Sequence, residues 1–499
     1  MKPFIYASAA FFAASSPAWT QGTVPTDMAP TCVVAPDTFA GWFPNATVTA
    51  NGLVNAPDSV TFSTTYAGDP TVCDFYSWGA QMFLWLTSPA GSKHVLDSSG
   101  FFTISPAADG TRTLIANSDN STPTLRMRRE KSDALPGEDI GEIGQAGSAG
   151  VLMSQDTSLV YYGLHANDGY AYFLSGQKTA GTVLTDKTQF PSSSTDLDDL
   201  KTYLAGTWPD VTLQTGNQLA MELKTSWVEA GTLSNPGDYI TITGTVPNFV
   251  ANADNTEMTV DTDTPSKTVE LALTGMHVVG TVQDHPEFIW ATFEHVNNAP
   301  DAPYYYLAND GTITLNGYDS DQDFLFMARG GAQDSANTEC MKAEDGAIKA
   351  NMTGAQGSQT PVCAGGIVPS DTVREYPWGS LANDPSSGTV TNNTLLLSIN
   401  NSVRSQLAEG DVRHNYIQTG SVWTTTPPGG GQAPIPNQVA NQALALRGST
   451  SIANMTMETY TQGTNCFSCH NLPEGSADSF VPRGISHVYS EITALSPAN

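Results

Sequence analysis

Two cysteines spaced two residues apart and followed directly by a histidine are the sharpest chemical signature in this chain: residues 466–470 read Cys-Phe-Ser-Cys-His. Thioether attachment of haem c needs two thiols at this spacing, with an imidazole next in sequence to reach the iron from the proximal side. Cys466, Cys469 and His470 are therefore read as the sites of one covalent haem c, with His470 as the proximal iron ligand. A zinc site would need a second ligand pair close by, and the other four cysteines stand far off in sequence. A thioredoxin-like dithiol would open a helix within a βαβ unit, and the surrounding pattern supplies none.

The distal ligand is less plainly written. Electron-transfer haems take Met or a second His, and the choice helps set the potential over a range of about 0.8 V. No Met follows the motif. His487, in Ile-Ser-His-Val-Tyr, is the nearest downstream candidate. Met457, close to Met455 in Asn-Met-Thr-Met-Glu-Thr-Tyr, is the weaker one, since methionines in a short helical segment more often pack than bind iron. A second concentration of ligand chemistry spans Gly275 to Asn298, where His277, His285 and His295 fall among Glu287 and Glu294. Neutral imidazole and carboxylate are good ligands for iron, zinc or copper, which makes these three histidines a candidate metal cluster. The bland alternative is that His277 and His295 are strand residues satisfied by hydrogen bonds, while Pro286 marks a turn that brings His285 to the surface. His94, His165 and His414 are isolated and read as structural.

The elements that must position these residues are mostly strands. To about residue 390 the chain is rich in Thr, Val, Ser, Gly, Asn and Asp, with short apolar runs between turn residues. Met221, Leu223, Thr225 and Trp227 alternate with Glu222, Lys224 and Ser226, the period of a strand with two unlike faces. Tyr239 to Val246 and Val269 to Val279 are β-branched or alternating as well. Helical spacing joins Leu197, Leu200 and Leu204 behind a Thr195 cap, and joins Leu396, Ile399, Val403 and Leu407 ahead of Gly410. The aromatics Trp78, Phe83 and Trp85 fit an amphipathic helix packed on a core. The expected fold is a mostly-β, sandwich- or barrel-like body with a smaller helical C-terminal haem-binding region. Residues 1–18 form a signal peptide, 19–390 the β-rich body, and 391–499 a helical and linker region in which Thr426 to Pro436 is the Pro/Gly linker. Only 29 residues follow His470, too few to wrap a haem, so the body must supply part of the pocket.

The apolar run Phe4 to Ala14, ahead of Ser15, Ser16, Pro17 and Ala18, has the layout of a secretory signal, and no later stretch reaches the roughly 20 apolar residues of a membrane span. The mature protein is expected in the periplasm or secreted. Export suits the remaining cysteines, for which pairing Cys32 with Cys73 and Cys340 with Cys363 is the simplest of three connectivities. A formal charge of −29, with 20 Lys and Arg against 49 Asp and Glu, rules out a phosphate-tracking surface and hence nucleic acid as a partner. The basic cluster Arg126, Arg128, Arg129 and Lys131 is followed by Glu138, Asp139 and Glu142 and reads as a solvated loop. The same acidic excess would steer a basic redox partner protein toward the chain.

The segments Gly144 to Tyr162, Gly275 to Asn298 and Met455 to His470 resemble a group of exported bacterial proteins of the cytochrome c family, and the similarity spans most of the mature chain. The resemblance implies haem binding at Cys466, Cys469 and His470 and electron transfer. The absence of a Met after the motif departs from the small cytochrome pattern. The leading expectation is thus a periplasmic c-type cytochrome-like electron-transfer protein. The alternatives are a haem- or metal-dependent exported oxidoreductase using the His277 to His295 cluster, and a β-rich binding module with an accessory haem. No Gly-x-Ser-x-Gly or His-Glu-x-x-His pattern supports hydrolysis.

Overall fold

The computed structural model describes residues 24–62, 72–105, 110–118, 150–354, 359–424, 446–470 and 485–497. The leader at 1–18, the basic cluster around Arg128 and the Thr426 to Pro436 linker lie outside these residues. Among the described residues, no helix is long and apolar enough to cross a membrane.

The chain is mostly β. Nine strands form the central sheet: β1 (Phe101–Ile104), β2 (Leu114–Ala116), β3 (Tyr161–Asn167), β4 (Met221–Glu229), β5 (Thr241–Pro247), β6 (Ser266–Val282), β7 (His285–His295), β8 (Tyr416–Thr424) and β9 (Leu446–Gly448). Their order is β9-β8-β7-β6-β4-β3-β1-β2, with β5 pairing the first half of β6. Every pairing is antiparallel. The path is open, so this sheet is not a closed barrel. Helices cover much of one of its faces, and the hydrophobic cluster on that side also takes in Met341, Ile348 and Ala350 of a smaller sheet. A separate four-stranded sheet joins Phe249–Ala251, Glu257–Val260, Met341–Glu344 and Ala347–Ala350.

The alternation along β4 divides the sheet's two faces. Met221, Leu223, Thr225 and Trp227 are buried on a side that packs against two helices, α1 (Val72–Leu86) and α4 (Ser387–Arg404). Phe83 of α1 stacks on Phe293 with ring centroids 4.5 Å apart, and Phe75 stacks on Trp423 at 4.3 Å. Between them lies α2 in sequence (Asp168–Gln177), which belongs with α3 (Ser194–Thr207) to the opposite face. Asn167 caps α2 through Tyr170 N and also accepts from Met221 N, locking this helix to the start of β4. The helix behind Leu197, Leu200 and Leu204 is capped by Ser193, two residues before the expected Thr195.

The opposite face carries Glu222, Lys224 and Ser226 on β4, with His277 and Val279 on β6 and Trp290 and Thr292 on β7 opposite them in register. A bulge fixes which β6 residues face this way. Leu273 pairs with Trp227, but Gly275 pairs with Ser226, so Thr274 is one residue in excess. The extra residue reverses the alternation and sends His277 to the face of Lys224. Two glycines then let chain lie flat on this face. A Cβ on Gly275 would come within 2.7 Å of Thr456 Oγ1 and 2.8 Å of Asn454 Oδ1, and one on Gly420 within 2.8 Å of Ser449 Oγ and Ile452 Cδ1. Residues 449–456 occupy that bed.

The anticipated boundary between a β body and a helical C-terminal region is absent from the sheet. Residue 390 falls inside α4, and β8 and β9 complete the same sheet as β1 to β7. Beyond β9 the described chain holds a short helical segment, Cys466–Cys469. Both expected cystines are formed, Cys32 with Cys73 and Cys340 with Cys363. Cys466 and Cys469 are free thiols.

Candidate haem-binding site

The Cys466–Cys469 turn begins at Asn465, whose N–H donates to the Ser468 hydroxyl at 3.4 Å and whose carbonyl accepts from Ser468 N at 2.9 Å. One helical turn puts both thiols on the same side, and His470 N closes it by donating to Cys466 O at 2.7 Å. Phe467, buried between them in sequence, anchors the turn in the core beside Trp290.

His470 is held from two directions. Its ring lies 4.4 Å from that of Trp290, centroid to centroid, and its Nδ1 is 2.8 Å from the Ile485 carbonyl oxygen. A carbonyl can only accept, so Nδ1 carries the proton and Nε2 keeps its lone pair when the ring is neutral. Neutrality is secured by desolvation first and then by the field of His487, which together push the His470 pKa down to about 3. Desolvation likewise pushes the Cys466 thiol up.

A cavity of about 420 Å³ opens beside these groups. Its walls bring together Cys466, Cys469, His470, His487, Met457 and His277 from the sequence-derived candidates, with Lys224, Trp290 and Glu458 in addition. The body therefore supplies the floor, through β4, β6 and β7. His277 Nε2 meets Glu458 Oε1 at 2.9 Å, and Glu458 Oε2 accepts from Asn454 N at 2.9 Å. Desolvation opposes the Glu458 charge, but His277, Lys224 and that backbone N–H outweigh it and hold the pKa down at about 2. Lys224, the cross-strand neighbour of His277, is shifted below the ordinary lysine range by desolvation, with Glu458 acting in the other direction.

No known protein family, curated protein or solved structure matches the chain. The site is accordingly read from its own chemistry.

His487 stands beside His470 rather than opposite it. The two rings stack face to face, with centroids 3.9 Å apart and planes at 14°, and His487 Nε2 donates to Cys469 O at 3.0 Å. In this stacked arrangement the two imidazoles meet face to face, so His470 and His487 line the same side of the cavity. Met457 is fully buried and lines the cavity; Met455 is equally buried but does not line it.

The three histidines between Gly275 and Asn298 do not share a ligand site. The β6–β7 hairpin puts His277 in mid-strand, His285 at the turn and His295 at the far end. His285 is buried rather than turned to the surface, with Nδ1 on Glu287 Oε1 at 2.8 Å, where Thr424 also donates. His295 stacks on Tyr239 at 3.9 Å and bonds the Asp238 carbonyl. Glu294 accepts from Met455 N and from Arg374, fixing the segment ahead of the motif. Among the described residues, no group of three or more His, Cys, Asp or Glu side chains converges as a metal-ligand set.

Sequence reasoning passed over Lys224, Trp290 and Glu458. Lys224 was placed on the polar side of β4 by alternation, yet period-two patterning does not distinguish a polar side facing water from one flooring a cavity.

Proposed function

We propose that the chain holds one haem c through thioethers from Cys466 and Cys469, with His470 as an axial ligand, and passes single electrons outside the cytoplasm. The observation that carries this reading is the His470 imidazole: its proton is committed to Ile485 O, so the nitrogen left for a metal is unprotonated. Two free thiols on one helical turn beside a cavity of about 420 Å³ give a donor set and a space that fit a porphyrin. When bound, that group supplies a one-electron centre whose potential depends on axial ligation, burial and nearby charge.

The chain's own residues account for the rest. The Cys466–Cys469 turn sets position, and the Ile485 carbonyl orients His470. Trp290, Ile452 and Met457 line the apolar wall, while Lys224 and Glu458 place charge at the floor and His277 bonds Glu458. The formal charge of −29 would draw in a basic redox partner. Two cystines and the N-terminal pattern suit an exported protein, periplasmic or secreted, and the resemblance to exported cytochrome c family proteins points the same way.

The test is expression in a host competent in cytochrome maturation. Covalent haem should survive denaturing electrophoresis of the mature protein and be lost in a Cys466→Ser, Cys469→Ser double variant. A colourless protein with both thiols open to alkylation would refute the proposal. Carbon monoxide added to the reduced protein separates roles: indifference supports an electron carrier, and ready binding supports an oxidoreductase with an open iron site.

A further inference from the structure

Glu222 lies on the same side of β4 as Lys224, and its Oε2 accepts from the Ser486 hydroxyl at 2.5 Å. The Ser486 oxygen also meets the Tyr170 hydroxyl of α2 at 2.8 Å. Ser486 is buried and stands between Ile485, whose carbonyl accepts from His470 Nδ1, and His487, whose ring stacks on His470. Both sequence neighbours of this serine touch one imidazole. We propose that Glu222 and Ser486 are positioning residues for His470, and that a proton on Glu222 is coupled to the electron held at the centre His470 ligates. This inference rests on the haem reading above.

The hydrogen-bond chain has two polarities. With Glu222 ionised, Ser486 gives its single proton to the carboxylate and accepts from Tyr170. With Glu222 protonated, the acid can donate to Ser486, whose own proton turns to Tyr170. One proton therefore reverses the dipoles beside the Ile485 carbonyl without moving a heavy atom. The groups around Glu222 are Tyr170 from α2, Ser486 from the C-terminal segment and Arg112, which pairs with Glu491, while Lys224 lies two residues on along the same side of β4. Desolvation raises the Glu222 pKa to about 7, against the lowering effect of Ser486 and Arg112. An electron arriving from the partner protein lessens the positive charge near this carboxyl, which favours uptake of one proton from solvent onto Glu222. No other bond is made or broken. The potential should accordingly fall as pH rises through the titration of this group.

The experiment is a redox titration of the purified holoprotein from about pH 5 to about pH 9, a range that brackets the raised carboxyl pKa. The wild-type midpoint potential should fall with rising pH through neutrality and then level off, and Glu222→Gln should abolish that slope. Ser486→Ala removes a donor from the carboxylate and should move the inflection to higher pH. The iron–imidazole vibration in resonance Raman spectra should shift in both variants. A pH-independent wild-type potential, or a wild-type slope retained in Glu222→Gln, overturns the inference. Should Glu222→Gln fail to accumulate as holoprotein, the Ser486→Ala inflection decides, and an unmoved inflection overturns it. Wild-type protein without covalent haem would instead sink the haem reading.

Discussion

The proton on His470 Nδ1 is held by an atom that carries no sequence information, the carbonyl oxygen of Ile485. The same holds across the cavity, where Glu458 is kept ionised by His277, Lys224 and a backbone N–H. Because the Glu458 pKa is depressed to about 2 from 4.5, its stabilising contribution is complete above the unfolded value and is lost as pH falls from about 4.5 through about 2. Its side chain is 29% exposed, so solvent screening reduces the effect to about 1–2 kcal/mol. Glu458→Gln should therefore flatten the acid limb of a denaturant-derived stability profile below about pH 4.5, and an unchanged limb would refute this account. A second expectation concerns His487. Since its ring lies alongside His470, His487→Ala should leave the axial-ligand signature of the holoprotein's electronic and magnetic spectra in place; conversion to a high-spin spectrum would show that this residue ligates after all. At this scale the sequence singled out Cys466, Cys469 and His470 by their types and spacing, and all three line one cavity. It was silent about Glu458, because a lone carboxylate next to a methionine looks the same in a turn as on a cavity floor.

The strands were legible where burial is one-sided. Alternation along β4 separated Trp227 from Lys224 correctly, and the aromatic run from Phe75 to Trp85 became α1, packed on β7 and β8. What alternation could not express is the excess residue at Thr274, which depends on the partner strand rather than on β6 alone. Nor could it express the bed made by Gly275 and Gly420, since each glycine matters only for what lies on top of it. Gly275→Ala would press a methyl group against Thr456, Asn454 and Ser226 at under 3 Å. The variant should lose about 1–3 kcal/mol in urea unfolding and should load less covalent haem, because the segment leading to Cys466 is displaced. Equal stability and equal loading would mean that residues 454–456 do not depend on this contact.

Considered whole, the described residues are built on the nine-stranded sheet, with a hydrophobic core on each of its faces, and the segments nearest Cys466 are layers of the second core. A division at residue 390 followed from a composition shift, but composition does not reveal that β8, after α4, returns to pair with β7. The Cys32–Cys73 bridge ties the first described segment to the start of α1 across 41 residues. Replacing both cysteines with alanine should lower stability by about 2–4 kcal/mol, measured by denaturant unfolding under oxidising conditions, and no loss would show that the unfolded chain gains nothing from the closure. The formal charge of −29 belongs to the chain as a whole. Electron exchange with a small basic redox protein should slow as ionic strength rises, and a rate indifferent to salt would exclude electrostatic steering.

The Thr274 bulge has one last implication, for insertions and deletions. Removing this single threonine would only take out the bulge, since Gly275 would still meet Ser226 and His277 Lys224, whereas one residue inserted between Gly275 and Met276 would exchange the sides of everything beyond it on β6. His277 would be driven into the helix-covered core, and Met276, now wholly buried there, would be delivered to the polar floor next to Lys224. The length of this strand from Gly275 onward, counted to the residue, is thus as much a part of the site as any side chain in it.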